Sequence, residues 1–288
     1  MGLLMGLDIG STSIKAIIYD LGGNCISAGS CKIPLSYPDK DHSTWCVWEP
    51  VAIWDCVITS IKQAITGISG DEVSAIAVTG FGMDGVPIDK NGRPLYPFIS
   101  WHCMRTLPQY KAFQKKINAE ELFRETGRRA IFIDSIYRMM WMKENYPEIL
   151  EKTYKWLLIE DYINFMLCGR IATDYSMGST TSAFKPDTHT WSDLILRLAG
   201  ISGDLFPQPL PSGTVLGEVL PKVCAETGLK KGTIIALGGH DYICSAFAVG
   251  AVDESRMMDI NGTWEMIVRG CRSINLSSAM STRAYYIG

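Results

Sequence analysis

Three aspartates stand in glycine-rich turns of this 288-residue sequence, and an apolar stretch precedes each turn. Asp8 precedes a Gly-Ser-Thr-Ser turn, Asp84 lies in Gly-Phe-Gly-Met-Asp-Gly, and Asp241 closes Gly-Gly-His-Asp. Carboxylates at such positions can hold Mg²⁺, accept hydrogen bonds from hydroxyl groups or take a proton as a general base. The neighbouring glycines let the backbone approach a ligand closely. The pattern therefore predicts a ligand site built from the ends of strands.

The first of these turns predicts a phosphate site. Residues 4–20 alternate as an apolar run, a polar turn and a second apolar run, which is typical of strand, tight turn and strand. Gly10 leaves space, and the amides and hydroxyls of Ser11, Thr12 and Ser13 can cradle phosphate oxygens. Asp8 can hold a hydrated Mg²⁺ beside them. The alternative is an ordinary β-hairpin with polar turn residues.

The second turn, residues 80–85, has the Gly-x-Gly-x-x-Gly spacing of dinucleotide-binding proteins. That motif requires a helix directly afterwards, and residues 86–92 instead predict a strand and a turn. A dinucleotide site is therefore excluded. The position of Asp84 suits a carboxylate that accepts hydrogen bonds from sugar hydroxyls, with a solvated turn acid as the alternative.

Trp101 and Arg105 follow a strand-like run over Leu95–Ser100. Indole faces pack on the C–H surfaces of sugars, and one guanidinium can donate to several hydroxyl oxygens. The pair is consistent with a sugar site. A core tryptophan beside a surface arginine is the alternative.

The third turn carries the best candidate for a catalytic residue. Asp241 lies between a strand and a helix rich in small residues, where a carboxylate can take the proton of an attacking hydroxyl. Its alternative is a helix N-cap. His240 can hydrogen-bond a substrate or serve a structural role. Further on, Gly262 and Thr263 occupy a turn similar to the one after Asp8, which predicts a second phosphate contact from an opposite domain.

The elements that position these turns can be predicted in outline. Residues 4–36 predict three strands, and residues 50–66 a helix with Pro50 in its first turn. The remaining predictions are strands over Val73–Thr79, Val86–Asp89, Thr233–Leu237 and twice within Arg256–Arg269; mostly helical stretches over 108–126 and 135–168; a turn-rich stretch over 169–216; and helices over Val219–Thr227 and Tyr242–Val249. This order fits an α/β fold of the ribonuclease-H-like type found in actin, hexokinase and Hsp70 ATPases, with helices flanking a mixed sheet. Two such domains close over ATP in that architecture.

The composition excludes several classes of protein. Hydrophobic residues make up 47% of the chain, the net charge is −3 and the pI is near 5.8, with no basic stripe for nucleic acid. Nine scattered cysteines and four histidines form no zinc motif and favour reduced thiols. No apolar run approaches the roughly 20 residues that span a membrane. We expect a cytoplasmic protein without a signal peptide.

In their order and spacing, these motifs resemble the FGGY family of carbohydrate kinases. The resemblance covers the whole chain and is carried by the Asp8 turn, Gly-Phe-Gly-Met-Asp-Gly, Ser-Trp-His-Cys-Met-Arg-Thr, Gly-Gly-His-Asp and Asn-Gly-Thr-Trp-Glu. It implies transfer of the ATP γ-phosphate to a hydroxyl of a small ketose, with Mg²⁺. L-Fuculose is the first substrate implied, and L-rhamnulose and D-xylulose are the alternatives. The assembly that we expect for the protein is a homodimer.

The resemblance also implies roles for individual residues. Asp241 would be the general base and Asp8 would support Mg²⁺. The residues that would face the nucleotide phosphates are Gly10, Ser11, Thr12, Ser13, Gly262 and Thr263. The residues that would line the sugar pocket are Gly82, Asp84, Arg105 and His240.

The chain departs from the family in two respects. Serine stands at position 11, where threonine is usual, and the hydroxyl is kept. Residues 1–248 are expected to form the N-terminal sugar- and phosphate-binding domain, whereas 249–288 would be only the start of a nucleotide-binding domain. We therefore expect a fragment that phosphorylates poorly alone and exposes apolar surface where the second domain would pack.

Two other classes of function stay open. An actin- or Hsp70-like ATPase module shares the Asp-x-Gly phosphate turn, but it has no reason to carry Asp84, Trp101 and Arg105 together. A non-catalytic sugar-binding domain predicts sugar binding without turnover of ATP.

Overall fold

The computed structural model describes residues 2–261 and 265–281. Its strands are β1 (Leu3–Ile9), β2 (Ser13–Tyr19), β3 (Cys25–Lys32), β4 (Val47–Trp48), β5 (Val73–Gly80), β6 (Gly85–Ile88), β7 (Phe98–Ile99), β8 (Lys155–Leu158), β9 (Thr173–Asp174), β10 (Phe184–Lys185), β11 (Thr190–Trp191), β12 (Pro209–Leu210), β13 (Val215–Glu218), β14 (Ile234–His240), β15 (Met257–Asn261) and β16 (Glu265–Arg269). Its α-helices are α1 (Pro50–Ala64), α2 (Leu107–Phe113), α3 (Ala119–Thr126), α4 (Ser135–Asn145), α5 (Pro147–Lys152), α6 (Ile159–Cys168), α7 (Tyr175–Ser179), α8 (Asp193–Ala199), α9 (Pro221–Thr227), α10 (Asp241–Ala248) and α11 (Ser278–Ser281). Two 3₁₀ turns cover Gly70–Glu72 and Gly203–Leu205.

A six-stranded mixed sheet forms the centre of the fold, in the order β13-β14-β5-β1-β2-β3. β1, β5 and β14 are parallel, whereas β2, β3 and β13 run antiparallel to their neighbours. The parallel strands place their carboxyl ends at one edge of the sheet. The predicted α/β class with a mixed sheet flanked by helices is confirmed.

Alternation of side chains along β1 explains why this sheet carries both a core and a site. Leu3, Met5, Leu7 and Ile9 are buried, whereas the residues between them are more accessible, with Leu4 42% exposed. The apolar face packs with residues of α1, α6 and α9 in one hydrophobic core. Asp8 lies on the more accessible face. A polar group can therefore occupy β1 without interrupting the core.

A second hydrophobic core joins the helical region that follows β7. It packs residues of α2, α4 and α8 together, including Phe113, Tyr137, Trp141 and Leu196. This region matters for the site because Arg138 of α4 contacts Asp84, which lies in the turn between β5 and β6.

The opening three strands, α1 and the strand–helix pair at β14 and α10 confirm the predictions closely. The stretch 108–126 is divided into α2 and α3, and the run predicted over Leu95–Ser100 contains only the two-residue β7. Several elements were missed. Among them are β8, which pairs with β6 inside a stretch predicted as helical, α8, inside the turn-rich stretch, and β13, an edge strand of the central sheet. None of the described helices is long and apolar enough to cross a membrane.

Candidate active site

A cavity of about 530 Å³ opens at the carboxyl edge of the sheet. The register aligns Asp8 of β1, Thr79 of β5 and Gly239 of β14 in one row across the parallel strands. Asp8 and Asp241 both line the cavity, with Ile260 and Met266 contributed by the hairpin of β15 and β16. Open α/β sheets bind ligands at this edge. The fold thus brings two predicted site residues, 233 positions apart in the sequence, to one cavity.

Asp8 presents its carboxylate to the cavity from the end of β1. Its Oδ2 lies 3.4 Å from Lys15 Nζ, the neighbour across the β1–β2 pair. Burial raises the pKa of Asp8 above its ordinary value, the charge of Asp241 raises it further, and Lys15 lowers it in part. The side chain is still 33% exposed, so one face of the carboxylate is accessible.

The turn after β1 is closed by a backbone hydrogen bond and brings Gly10 to the cavity. The amide of Gly10 donates to the carbonyl of Ser13 at 3.2 Å, and Gly10 lines the cavity. A Cβ at position 10 would lie 2.9 Å from the Ser13 oxygen, so the turn leaves no room for a side chain there. Ser11 and Ser13 are half-buried and Thr12 is exposed.

Asp241 is the first residue of α10, and His240 occupies the N-cap position. The proposed N-cap alternative for Asp241 is therefore wrong. Its Oδ1 accepts hydrogen bonds from His240 Nδ1 and from the Tyr242 amide, both at 2.6 Å. The side chain is 43% exposed, and no described residue hydrogen-bonds its Oδ2. A carboxylate held at one oxygen and open at the other suits a general base.

His240 lies behind Asp241 and is buried. Its Nε2 lies 3.1 Å from the amide nitrogen of Gly82, and its own amide donates to Ser176 Oγ at 2.9 Å. Gly82 contacts the ring so closely that a Cβ there would lie 2.6 Å from Nε2. His240 therefore connects the turn after β5 to Asp241.

Asp84 is fully buried, so the alternative of a solvated turn acid is wrong. Its Oδ2 accepts from Trp48 Nε1 at 2.8 Å and from the Trp101 amide at 3.1 Å, and its Oδ1 accepts from Arg138 Nη1 at 2.6 Å. Burial raises the pKa of Asp84, and the Arg138 guanidinium, Trp48 and Trp101 offset part of that shift. In this conformation both oxygens are occupied by protein donors.

Arg105 is also buried, which makes the surface-arginine alternative wrong. Its guanidinium carbon lies 4.5 Å from the ring centroid of Trp45 and 5.0 Å from that of Trp141. Its Nη1 donates to the Tyr96 hydroxyl at 3.2 Å. Nη2 is buried without a hydrogen-bond partner in the described part of the chain. Neither Asp84 nor Arg105 lines the cavity that contains Asp8 and Asp241.

Two buried acidic residues, Glu160 and Asp174, lie beside the end of β14. Glu160 Oε1 accepts from the Gly238 amide at 3.2 Å, and Asp174 Oδ1 accepts from Ser176 Oγ. Burial raises the pKa of Glu160 well above its ordinary value, and the charges of Asp174 and Asp161 raise it further. Burial also raises the pKa of Asp174, and the hydrogen bonds that it accepts from Ser176 and the Met177 amide offset part of that shift.

Sequence reasoning missed Arg138, Trp48 and Ser176 as residues of this region. Arg138 had a usable signal, because it is the one cation among the first eight residues of α4, 135–142, which are otherwise uncharged. Trp48, in the short strand β4, donates to Asp84. The predicted phosphate contacts Gly262 and Thr263 lie outside the described residues.

Comparison with known proteins shows the family to which this sequence belongs. The sequence model of the FGGY family of carbohydrate kinases, N-terminal domain, matches residues 3–248. The chain therefore belongs to the FGGY family of carbohydrate kinases.

Two curated relatives and one solved structure illustrate the similarity. The L-fuculokinase of Escherichia coli is 31% identical over 266 residues, which cover 92% of this chain and 56% of that protein. The xylulose kinase of Bacillus subtilis is 28% identical over 273 residues, covering 93% of this chain and 53% of that protein. The ligand-bound xylulose kinase structure from Lactobacillus acidophilus superposes with a TM-score of 0.86 at 24% identity, covering 93% of this chain and 54% of that one. The predicted ribonuclease-H-like fold is thus confirmed, and the chain spans just over half the length of these relatives.

Proposed function

We propose that this chain is the N-terminal, sugar- and phosphate-binding part (residues 1–248, with the start of a second domain in 249–288) of a kinase that transfers the ATP γ-phosphate to a ketose hydroxyl. One observation carries the proposal. Asp8 and Asp241 present carboxylates to the same cavity, from the carboxyl ends of two parallel strands of the sheet. Phosphoryl transfer needs alignment, neutralised charge and a base, and this arrangement supplies groups for each.

Asp241 would act as the general base. Its Oδ2 would accept the proton of the substrate hydroxyl while the hydroxyl oxygen forms a bond to the γ-phosphorus. The bond from that phosphorus to the oxygen bridging to ADP breaks, and ADP leaves with the electron pair. Because His240 and Tyr242 hold Oδ1, the carboxylate is oriented before substrate binds.

Asp8 would hold Mg²⁺. The residues fit this ion, which proteins commonly bind through one or two carboxylates together with substrate phosphates. The cavity offers the carboxylates of Asp8 and Asp241, and the described residues contain no cluster of three or more metal-ligating side chains. The ion would neutralise phosphate charge. The amides and hydroxyls of Ser11, Thr12 and Ser13 would contact the same phosphates, and Gly10 would let them approach the backbone closely. Gly262 and Thr263 are proposed to contact them from the opposite side.

The sugar side of the site would be formed by Gly82 and its turn, with Asp84, Arg105 and His240 behind it. Asp84 and Arg105 are buried by the surrounding protein. We therefore propose that they shape the sugar side of the site in the conformation described. L-Fuculose is the ketose we favour, because an L-fuculokinase is 31% identical to this chain. A xylulose kinase is nearly as similar at 28%, so D-xylulose and L-rhamnulose are the alternatives.

A second domain would complete the enzyme. Exposed apolar side chains on α10, on the segment after it and on the pair of strands β15 and β16 suit a surface that such a domain would cover. They are Phe247, Val249, Val252, Met257 and Ile267, each more than half exposed. We propose a cytoplasmic enzyme, on the basis of its scattered cysteines, that forms homodimers when complete.

Release of ADP across a panel of ketoses tests this proposal. The panel contains L-fuculose, L-rhamnulose, D-xylulose and L-ribulose, each assayed with ATP and Mg²⁺. The 288-residue chain is compared with a longer version that continues through a second domain, taken from the same gene where it continues or from the E. coli relative. We expect turnover of L-fuculose by the longer version only. Absence of phosphoryl transfer to every ketose by a folded longer version would contradict the kinase proposal.

A further inference from the structure

His240 stands between the turn proposed to face the sugar and the proposed base, and both of its ring nitrogens are engaged by the protein. Nε2 lies 3.1 Å from the Gly82 nitrogen, and Nδ1 lies 2.6 Å from Asp241 Oδ1. The ring is buried, with 6% of the side chain exposed. In this arrangement neither nitrogen is available to a sugar hydroxyl.

The two contacts determine which nitrogen carries the proton. A backbone amide can only donate, so Nε2 must accept the hydrogen bond from Gly82 and cannot itself carry hydrogen. The neutral imidazole then carries its proton on Nδ1, which donates to Asp241 Oδ1. Protonating Nε2 as well would set two N–H donors against each other.

The turn that holds Nε2 is itself fixed. Met83 has a positive φ of 75°, and its amide donates to Thr180 Oγ1 at 2.9 Å. Its carbonyl accepts from Ser135 Oγ at 2.5 Å. On the other side, the His240 amide is bound to Ser176 Oγ, which donates in turn to Asp174. The imidazole is thereby held from both its ring and its backbone.

We propose that His240 is a positioning residue that fixes the carboxylate of Asp241 for proton transfer, and that the Gly82 amide sets the tautomer through which it does so. Held by His240 Nδ1 and the Tyr242 amide at Oδ1, Asp241 keeps Oδ2 directed away from these donors. Binding of a sugar against the turn that contains Gly82 would then affect the position of the Asp241 carboxylate through the imidazole of His240. This inference rests on the proposed function of Asp241.

A matched pair of variants separates the two hydrogen bonds of the ring. In His240→Asn the amide nitrogen takes the place of Nδ1 and can still donate to Asp241. In His240→Gln the longer side chain can accept from Gly82 with its oxygen but places no donor at Oδ1. We expect kcat of the longer, active chain to fall about 10- to 100-fold in His240→Gln, the range for lost supporting hydrogen bonds, and clearly less in His240→Asn. The KM for the ketose should stay unchanged in both.

Two results would overturn the proposal. One is a rise in the ketose KM with kcat preserved, which would make His240 a sugar ligand. The other is an equal loss of kcat in both variants. As a further test, His240→Gln should cost nothing more when introduced into Asp241→Asn, because its effect acts through that carboxylate.

A readout independent of activity keeps this inference distinct from the kinase proposal. Nitrogen-15 NMR of the four histidines in the 288-residue chain, with His240→Asn for assignment, reports which ring nitrogen carries hydrogen. We expect hydrogen on Nδ1 of His240, and hydrogen on Nε2 would overturn the inference even in an active kinase. If no ketose is phosphorylated but Nδ1 carries the hydrogen, the kinase proposal fails while the His240–Asp241 pairing stands.

Discussion

The carboxylate of Asp84 lies 2.6 Å from the guanidinium of Arg138, and both side chains are almost completely excluded from solvent. The two residues are 54 positions apart in the sequence. Asp84 belongs to the turn between β5 and β6, whereas Arg138 belongs to α4. This ion pair therefore joins the central sheet to the helical region, behind the proposed sugar side of the site.

Removing one partner of this pair should destabilise the fold strongly. Arg138→Met leaves a buried carboxylate without its counter-ion, and such changes cost about 3–5 kcal/mol in the free energy of unfolding. Urea unfolding measures the change. The control is Arg124→Met, which removes an exposed ion pair with Glu120 and should have little effect. Equal losses in the two variants would show that the Asp84–Arg138 pair is not the connection described.

Adding a methyl group at Gly82 should disturb His240. A Cβ there would lie 2.5 Å from Thr180 Cγ2 and 2.6 Å from His240 Nε2, so the turn or the ring must move. We expect Gly82→Ala to change the ring nitrogen-15 signals of His240 and to lower the free energy of unfolding. Gly6→Ala is the matched control, since a Cβ at position 6 meets nothing within 4 Å. Unchanged His240 signals in Gly82→Ala would contradict the contact.

The elevated pKa of Asp8 predicts how Mg²⁺ binding depends on pH. Burial keeps Asp8 protonated at pH values where a free aspartate, with its pKa of 3.8, is ionised. Because the metal binds the carboxylate form, its apparent affinity in the presence of ATP should fall on acidification at a higher pH than for a free aspartate. Titration of the active, longer chain with Mg²⁺ at several pH values measures this. Asp8→Asn should remove the part of this dependence that comes from Asp8 and leave the part that comes from protonation of the ATP phosphates. Asp187→Asn, on an exposed turn, should leave the whole dependence unchanged.

Glu160 should make the fold less stable as the pH rises. Its folded-state pKa is raised above the ordinary value of 4.5, so the folded protein holds this proton more tightly than the unfolded chain. The stability it contributes is complete below 4.5 and is lost as the pH rises through the raised value. Glu160→Gln keeps an acceptor for the Gly238 amide but cannot ionise.

Urea unfolding of both proteins across this pH range measures the effect. The free energy of unfolding of Glu160→Gln minus that of the original protein should increase with pH, by at most about 1.4 kcal/mol per pH unit for one proton. A difference that does not depend on pH would show that Glu160 titrates normally in the fold.

The sequence predicted the parts of the site that depend on local patterns. The Asp8 hairpin and the strand–helix junction at Asp241 were correct because alternation of apolar residues and glycine position are local signals. The strand predicted after the Gly-x-Gly-x-x-Gly turn is also confirmed, because β6 begins at Gly85. The meeting of Asp8 and Asp241 in one cavity followed only from the parallel order of β1, β5 and β14.

What could not be predicted depends on long-range contacts. Nothing local distinguishes a solvated Asp84 from one paired with Arg138, because its partner lies on a distant helix. The same holds for Arg105, whose burial results from Trp45 and Trp141 closing over it. β8 was assigned to a helix because its four residues, Lys155–Leu158, lie between helical segments and become a strand by pairing with β6.

The most direct test of the account is the rate of phosphoryl transfer to L-fuculose by the longer, active chain and by its Asp241→Asn variant. Asparagine can still accept from His240 and the Tyr242 amide, but it cannot take the proton of the attacking hydroxyl. We predict that kcat falls by about 10²–10⁴-fold, with the affinity for the ketose and the free energy of unfolding nearly unchanged. Turnover by Asp241→Asn at the rate of the original protein would contradict the assignment of Asp241 as the base.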